Sequence, residues 1–274
     1  VYTFLGGFNA VCWTDFFQGL LMLVALLAVP IMIMFTQNPD ASALANTIVG
    51  SDGTQYTFVA NFFNASWQDI VSGLAWGLGY CGMPHILVRF MSIEKPSMIK
   101  KSATVAIIWV VISLACTILL AYYGRMLIGE ELLVDGNQKL VFVRLARMLF
   151  HPFVAGILLA AIIAASMSTA DSQLLVASSS FTSDIYKPVI RKNTSENEVL
   201  WVGRIVVLAV SVIAYFIASS KGSGAQAIME MVENAWAGFG GSFGPVVVLS
   251  LFWKRMTYKG ACAGVVFGAL TDVL

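Results

Sequence analysis

Ala165, Ser168, Thr169 and Ser172 follow one another at helical spacing, so they share one face of a helix. The hydroxyls of Ser168 and Thr169, with nearby carbonyl oxygens, suit a hard cation, which prefers oxygen ligands. The same small residues at the same spacing also let membrane helices pack closely, and Ser and Thr can satisfy carbonyls of their own helix. Asp171 adds a carboxylate in the middle of that apolar stretch, with no Lys or Arg beside it. A charge at that depth costs at least a few kcal/mol, roughly 3, so such residues face a wet cavity, bind a cation or carry a proton. Asp15, after Trp13-Thr14, is a second acid of this kind, or a cap for the helix that follows. Asp15, Asp171 and Ser172 are therefore a candidate second cation or proton station.

The stretch Trp76-Gly77-Leu78-Gly79-Tyr80-Cys81-Gly82-Met83-Pro84-His85 puts three glycines and a proline inside an apolar run. Gly and Pro weaken helix interiors, and in a bilayer the freed backbone groups are tolerated only where they line a protein-walled cavity. Trp76 and Tyr80 lie four apart, on one face. Their rings and polar handles suit a small solute with apolar and polar parts, or else an interfacial belt. His85 can titrate or hold a loosened carbonyl. Asn234 to Gly241 reads as a second Gly-rich, aromatic break ending at Pro245, either a gate or a close-packing segment.

The elements that must position these residues are membrane spans. Of 274 residues, 58% are hydrophobic and 11% charged, with mean hydropathy +0.82; soluble domains carry about 25% charged residues. Apolar runs appear at 16–35, 68–91 (broken), 102–124, 152–180, 201–219 and 230–252, and a seventh begins near 260. The fold class expected is an all-α polytopic membrane protein. The stretch 152–186 is longer than a ~30 Å hydrocarbon core requires, so it tilts or extends into water. A net charge of +1 argues against a nucleic-acid partner. Cys12, Cys81, Cys116 and Cys262 have no C-x-x-C spacing and read as buried free thiols.

Lys and Arg orient the spans. Eleven fall in loops on one side, around Arg89 to Lys101, Lys187 to Arg204 and Lys254 to Lys259. Five fall on the other: Arg125, Lys139, Arg144, Arg147 and Lys221. The richer side belongs in the cytoplasm. The segment 36–67 is then external; it has no Lys or Arg and contains an Asn64-Ala65-Ser66 glycosylation tripeptide. Residues 138–150 read as a short surface helix with Arg144 and Arg147 on a solvated face. Residues 1–274 form one transmembrane unit. The last run, 261–274, is too short to span, and no initiator Met opens the chain, so it reads as an internal piece of a longer protein.

At these residues the chain resembles the sodium:solute symporter family, on its proline-transporting branch. The resemblance rests on Tyr2-Thr3-Phe4-Leu5-Gly6-Gly7-Phe8 with Trp13-Thr14-Asp15, and on Gly73 to Tyr80 with Pro84-His85 and Arg89-Phe90-Met91. It continues through Met167-Ser168-Thr169 with Gln173 to Val176, Asp184 to Lys187, Trp236 to Gly240 and Phe243 to Val247. It closes with Arg255-Met256 and Gly260-Ala261. It implies a LeuT-like inverted-repeat fold, holding core helices five to ten and the start of one more. It implies a sodium site at Ala165, Ser168 and Thr169, completed by ligands outside this chain. It implies proline contacts at Trp76, Tyr80 and Pro84. Some members place a second sodium at positions matching Asp15 and Ser172. Cys81 and Met83 depart from the branch, which commonly has Phe and Gln there.

The function expected from the resemblance is symport of sodium with L-proline across the cell membrane, with sodium as coupling ion and lipid as surroundings; another small organic solute is the alternative. A passive channel would need a continuous polar lining. An intramembrane enzyme is disfavoured by two His residues with no metal-ligand pair and no nucleophile–base spacing.

Overall fold

In a computed structural model, which describes residues 2–58, 65–134, 136–220 and 225–273, the apolar runs fold as helices. Asn64 of the glycosylation tripeptide and Lys221 lie outside the described residues. Among those described, the helices are α1 (Tyr2–Thr36), α2 (Trp67–Gly79), α3 (Pro84–Met91), α4 (Ser97–Val134) and α5 (Val141–Leu149). They continue with α6 (Pro152–Ser180), α7 (Glu196–Ser220), α8 (Ala225–Phe252) and α9 (Tyr258–Val273).

Five of them are long and apolar enough to cross a bilayer, with stretches of 22 to 39 residues. At 1.5 Å rise per residue, 22 residues reach roughly 33 Å, against a core of about 30 Å. Apolar side chains also cover their outer surfaces: Val105, Ile107, Val111, Leu114 and Ile118 of α4 are all more than half exposed. A water-soluble domain does not tolerate so continuous a patch, whereas lipid or further protein does.

Gly7 interrupts α1 with φ 58° and ψ −150°, a conformation that only glycine adopts without strain. The long sixth segment does not stop at Ser180. It continues as π-helical turns over Phe181–Ile190, with Pro188 inside them. Tyr186 Oη donates to Glu198 Oε1 at 2.7 Å and Arg191 pairs with the same carboxylate at 3.0 Å, fastening this extension to the start of α7.

The packed centre is formed by α1, α4, α5 and α6. Ala25, Val29 and Ile33 of α1 meet Leu120, Ile128 and Leu132 of α4, with Leu145 and Ala146 of α5 and Leu158 and Ala161 of α6. The short helix α5 thus presents two faces. Leu145 is fully buried, while Arg144 on the outside pairs with Glu131 at 3.3 Å.

The outer segment is not wholly helical. A 3-10 turn (Ala41–Ala45) leads into a small antiparallel hairpin of β1 (Ile48–Val49) and β2 (Gln55–Tyr56). Arg125 Nη2 donates to the carbonyls of Asn46 and Tyr56 at 2.7 and 3.2 Å, holding the hairpin to α4. The hairpin escapes an apolar-run reading because each strand has only two residues. Two thiols also differ from expectation. Cys116 is buried and Cys81 half-buried, but Cys12 and Cys262 are exposed on outward faces of α1 and α9.

Candidate functional site

Two neighbouring places carry the residues singled out above: the break between α2 and α3, and the inner part of α6.

The break forms for local reasons. Ser66 caps α2 in a reciprocal box with Asp69, so the helix starts firmly and its apolar residues fall into register. It ends at Gly79. A 3-10 turn follows over Tyr80–Gly82, and Met83 is extended at φ −79°, ψ 114°. Pro84 causes this, because proline pushes its predecessor out of the helical region and then suits the first turn of a new helix, α3.

Helix α8 packs directly on the break. A Cβ on Gly82 would lie 2.3 Å from the carbonyl oxygen of Phe239, and one on Gly240 would lie 2.9 Å from Gly79 Cα. Glycine alone permits this backbone-to-backbone approach. A Cβ on Gly79 would strike the Trp236 indole. The Asn234–Gly241 segment is therefore not a second break. It is continuous helix within α8, which runs on through Pro245. Its glycines serve close packing, which bulkier residues would prevent.

Trp236 joins the two aromatic residues of α2. Its ring stacks on Trp76 with centroids 5.4 Å apart and meets Tyr80 edge-on at 4.6 Å. Its indole N–H donates to the Trp76 carbonyl at 3.1 Å. A groove of about 810 Å³ opens here, lined by Trp76, Gly79, Glu233, Trp236, Gly240 and Pro245 among others. Tyr80 does not line this groove and is half exposed. Pro84 shapes the break rather than the groove wall. Sequence reasoning missed Trp236. The cue was available in the pairing of one Gly-rich aromatic segment with another.

On α6, the Ala165 carbonyl accepts from Ser168 Oγ at 3.5 Å and from Thr169 Oγ1 at 3.3 Å. Both hydrogens point back into the helix, so the hydroxyl lone pairs are free to face outward. Thr169 is exposed and Ser168 half-buried. These three oxygens within one turn are of the type a hard cation takes, and a complete shell would need further donors from another element.

One turn further in, three elements converge. Arg89, in the last turn of α3, pairs through Nη2 with Asp15 Oδ2 of α1, and the same nitrogen donates to Ser172 Oγ of α6 at 2.6 Å. Ser172 Oγ donates in turn to the Ser168 carbonyl at 2.9 Å and lies 3.3 Å from Asp15 Oδ2. Asp15 is thus an interior residue of α1 and caps nothing. Asp171 is 4% exposed and projects about 100° away from Ser172 round the helix. The cluster forms through Ser172. Sequence reasoning used Arg89 as an orientation marker and within a family-like segment, not as a partner of Asp15, although a carboxylate in an apolar run asks for a counter-charge and Arg89 is the basic residue that closes the broken run.

Among the described residues, no group of three or more His, Cys, Asp or Glu could hold a metal ion. The arrangement combines a broken helix under an aromatic wall, an oxygen-rich helix face, and a carboxylate–guanidinium pair linking both to α1. This defines a predominantly helical polytopic membrane protein.

The chain belongs to the sodium:solute symporter family, whose model matches residues 1–268. It is 43% identical over 273 residues to the high-affinity proline transporter PutP of Bacillus subtilis, covering 100% of this chain and 56% of that protein. It is 39% identical over 278 residues to the sodium/proline symporter of Escherichia coli, covering 100% and 54%. It is 40% identical over 274 residues to the osmoregulated proline transporter OpuE of Bacillus subtilis, again covering 100% and 54%. The chain spans about half the length of the curated relatives it matches.

Proposed function

We propose that this chain forms the coupling half of a sodium symporter that imports L-proline across the cell membrane by alternating access. The observation that carries the reading is the broken helix at Tyr80–Pro84 with its aromatic wall, in a chain about 40% identical end to end to proteins named as proline transporters. We read the architecture as LeuT-like. On it, α1 is core helix five, α2 with α3 is the broken helix six, and α4, α6, α7 and α8 are helices seven to ten. Helix α9 begins one more.

Proline meets Trp76 and Tyr80 at the break, and Pro84 keeps the turn open so that backbone groups can hold the polar end of the solute. Sodium binds at Ala165, Ser168 and Thr169, with remaining ligands from helices outside this chain. Binding of each ligand favours the state that the other prefers, a reciprocal coupling on the order of 1–3 kcal/mol. Asp15 and Ser172, bridged by Arg89, and Asp171 one residue along α6, stand one turn from that face as a second cation or proton station. No bond is made or broken in the solute.

A specific observation supports a second solute reading. Cys81 and Met83 lie within the break, and Met83 is 4% exposed, so the packing at the break differs from the usual proline branch. Equilibrium binding of radiolabelled L-proline to the native protein in detergent separates the readings. Sodium-dependent binding, competed by proline and not by other small solutes, is expected. Sodium-dependent competition by a different solute with proline inert would favour the second reading.

A further inference from the structure

We infer that the cavity between the outer hairpin and α4 is an anion site, in which Arg125 holds a small monovalent anion, either chloride or the carboxylate of a small organic acid. The site shares no residue with the break or with the oxygen face of α6.

Arg125 lies in the last third of α4 and reaches the hairpin. Its Nη2 is occupied, donating to the Asn46 and Tyr56 carbonyls at 2.7 and 3.2 Å. Its Nε and Nη1 are buried and have no hydrogen-bond partner among the described residues. A guanidinium stays charged, and every N–H it carries is a donor that burial makes costly to leave unused. Arg89, Arg144 and Arg191 each meet a carboxylate. Arg125 meets neutral carbonyls and, among the described residues, forms no ion pair. A half-buried charge so placed asks for a counter-ion.

The space for one is present. A cavity of about 530 Å³ adjoins the guanidinium, lined by Asn46, Thr47, Arg125 and Gly129 among others. Gly129 helps to keep it open. A Cβ there would lie 3.0 Å from Arg125 Cδ and 3.7 Å from Nη1, so glycine leaves room beside the unpartnered nitrogen. The walls are tied together at a second point, where the Ser51 N–H donates to the Val134 carbonyl at 2.8 Å and closes the hairpin against the end of α4. Water would fill the space without supplying the missing charge. Two acids, Glu130 and Glu131, also border the cavity; both are exposed, and Glu131 is paired with Arg144 at 3.3 Å. Their charge opposes a doubly charged anion about twice as strongly as a singly charged one, which is why the site is assigned to monovalent anions.

The test uses the native protein, with whatever sequence flanks this chain, purified in detergent in sodium HEPES, whose sulfonate is bulky. Its melting temperature is followed as HEPES is replaced, at constant sodium, by chloride, acetate or sulfate. Chloride or acetate is expected to raise the melting temperature along a saturating curve. Saturation at lower chloride than acetate assigns the site to an inorganic ion, and the reverse order to a carboxylate. Arg125→Lys keeps the charge and can still reach the hairpin carbonyls, but it removes the Nε and Nη1 donors. The anion concentration for half-maximal effect is expected to rise about tenfold or more in that variant. No saturating effect of either monovalent anion on wild type would overturn the inference. So would an unchanged half-maximal concentration in Arg125→Lys, or sulfate saturating at as low a concentration as chloride. Should Arg125→Lys fail to fold, anomalous scattering from bromide in wild-type crystals decides. Bromide within hydrogen-bond reach of Nε or Nη1 supports the site, and its absence there contradicts it.

Discussion

The Trp236 indole N–H donates to the backbone carbonyl of Trp76 at 3.1 Å, so α8 supplies a hydrogen bond to the helix that precedes the break. The same ring fills the notch that Gly79 leaves. Trp236→Phe keeps an aromatic ring and removes the donor, so the Trp76 carbonyl loses this bond beside an apolar groove. That costs about 1–3 kcal/mol. Proline affinity at saturating sodium is expected to weaken by about five- to a hundred-fold, with Trp236→Ala worse because the stacking is also lost. Binding isotherms on purified protein check both variants. Wild-type affinity in Trp236→Phe would remove this bond from the account.

Two glycines of the same segment should behave oppositely. A Cβ at Gly82 would meet the Phe239 carbonyl at 2.3 Å, a backbone atom that cannot rotate away, whereas one at Gly77 meets nothing within 4 Å. Gly82→Ala is expected to separate α8 from the break and abolish uptake. Gly77→Ala is expected to be tolerated, and to add up to about 1 kcal/mol of stability as an exposed helical position. Uptake and thermal stability of the two proteins, measured side by side, give the answer.

Sodium and solute should separate by mutation. Thr169→Ala removes an outward hydroxyl from the oxygen face and is expected to raise the sodium concentration for half-maximal uptake. Trp76→Ala removes an aromatic wall and is expected to cost proline affinity roughly 2 kcal/mol, about thirtyfold, with little change in sodium affinity. The check is a pair of titrations, each ligand varied with the other saturating. A swap or a uniform loss would contradict the assignment of the two faces.

The outer hairpin offers a pH prediction. Asp52 accepts from the Thr54 backbone N–H at 3.0 Å and from its hydroxyl at 2.8 Å, which holds the carboxyl below its ordinary value of 3.8. A depressed carboxyl contributes stability that is present above the unfolded pKa and lost as pH falls through the folded one. Hydrogen-exchange protection of residues 48–56 should therefore be constant from about pH 5 to 8 and decline only in stronger acid. Loss of protection near neutral pH would place the control elsewhere.

Much of the architecture is legible in the sequence because lipid imposes a simple demand. Each crossing must be apolar and must satisfy its own backbone, so apolar runs report helices. The break at Pro84 was equally open to reading, since proline restricts its neighbour whatever surrounds it. What escaped is pairwise. Trp236 lies 160 residues from Trp76, and Arg89 lies 74 residues from Asp15 and 83 from Ser172. Local spacing carries no information on such contacts. The Gly-rich run of α8 stayed open between gate and close packing for the same reason: glycines that loosen an isolated helix also admit a neighbouring backbone, and only the neighbour decides between these. The two-residue strands 48–49 and 55–56 are too short to leave any periodicity.

The central claim is that a sodium gradient drives proline inward through this protein. Proteoliposomes containing the native protein, loaded with potassium and diluted into medium with radiolabelled L-proline and either sodium or potassium, test it directly. Transient accumulation of proline above the external concentration is expected with the inward sodium gradient, and is expected to collapse when a sodium ionophore dissipates it. Equal, non-concentrative equilibration with sodium and with potassium would contradict the account.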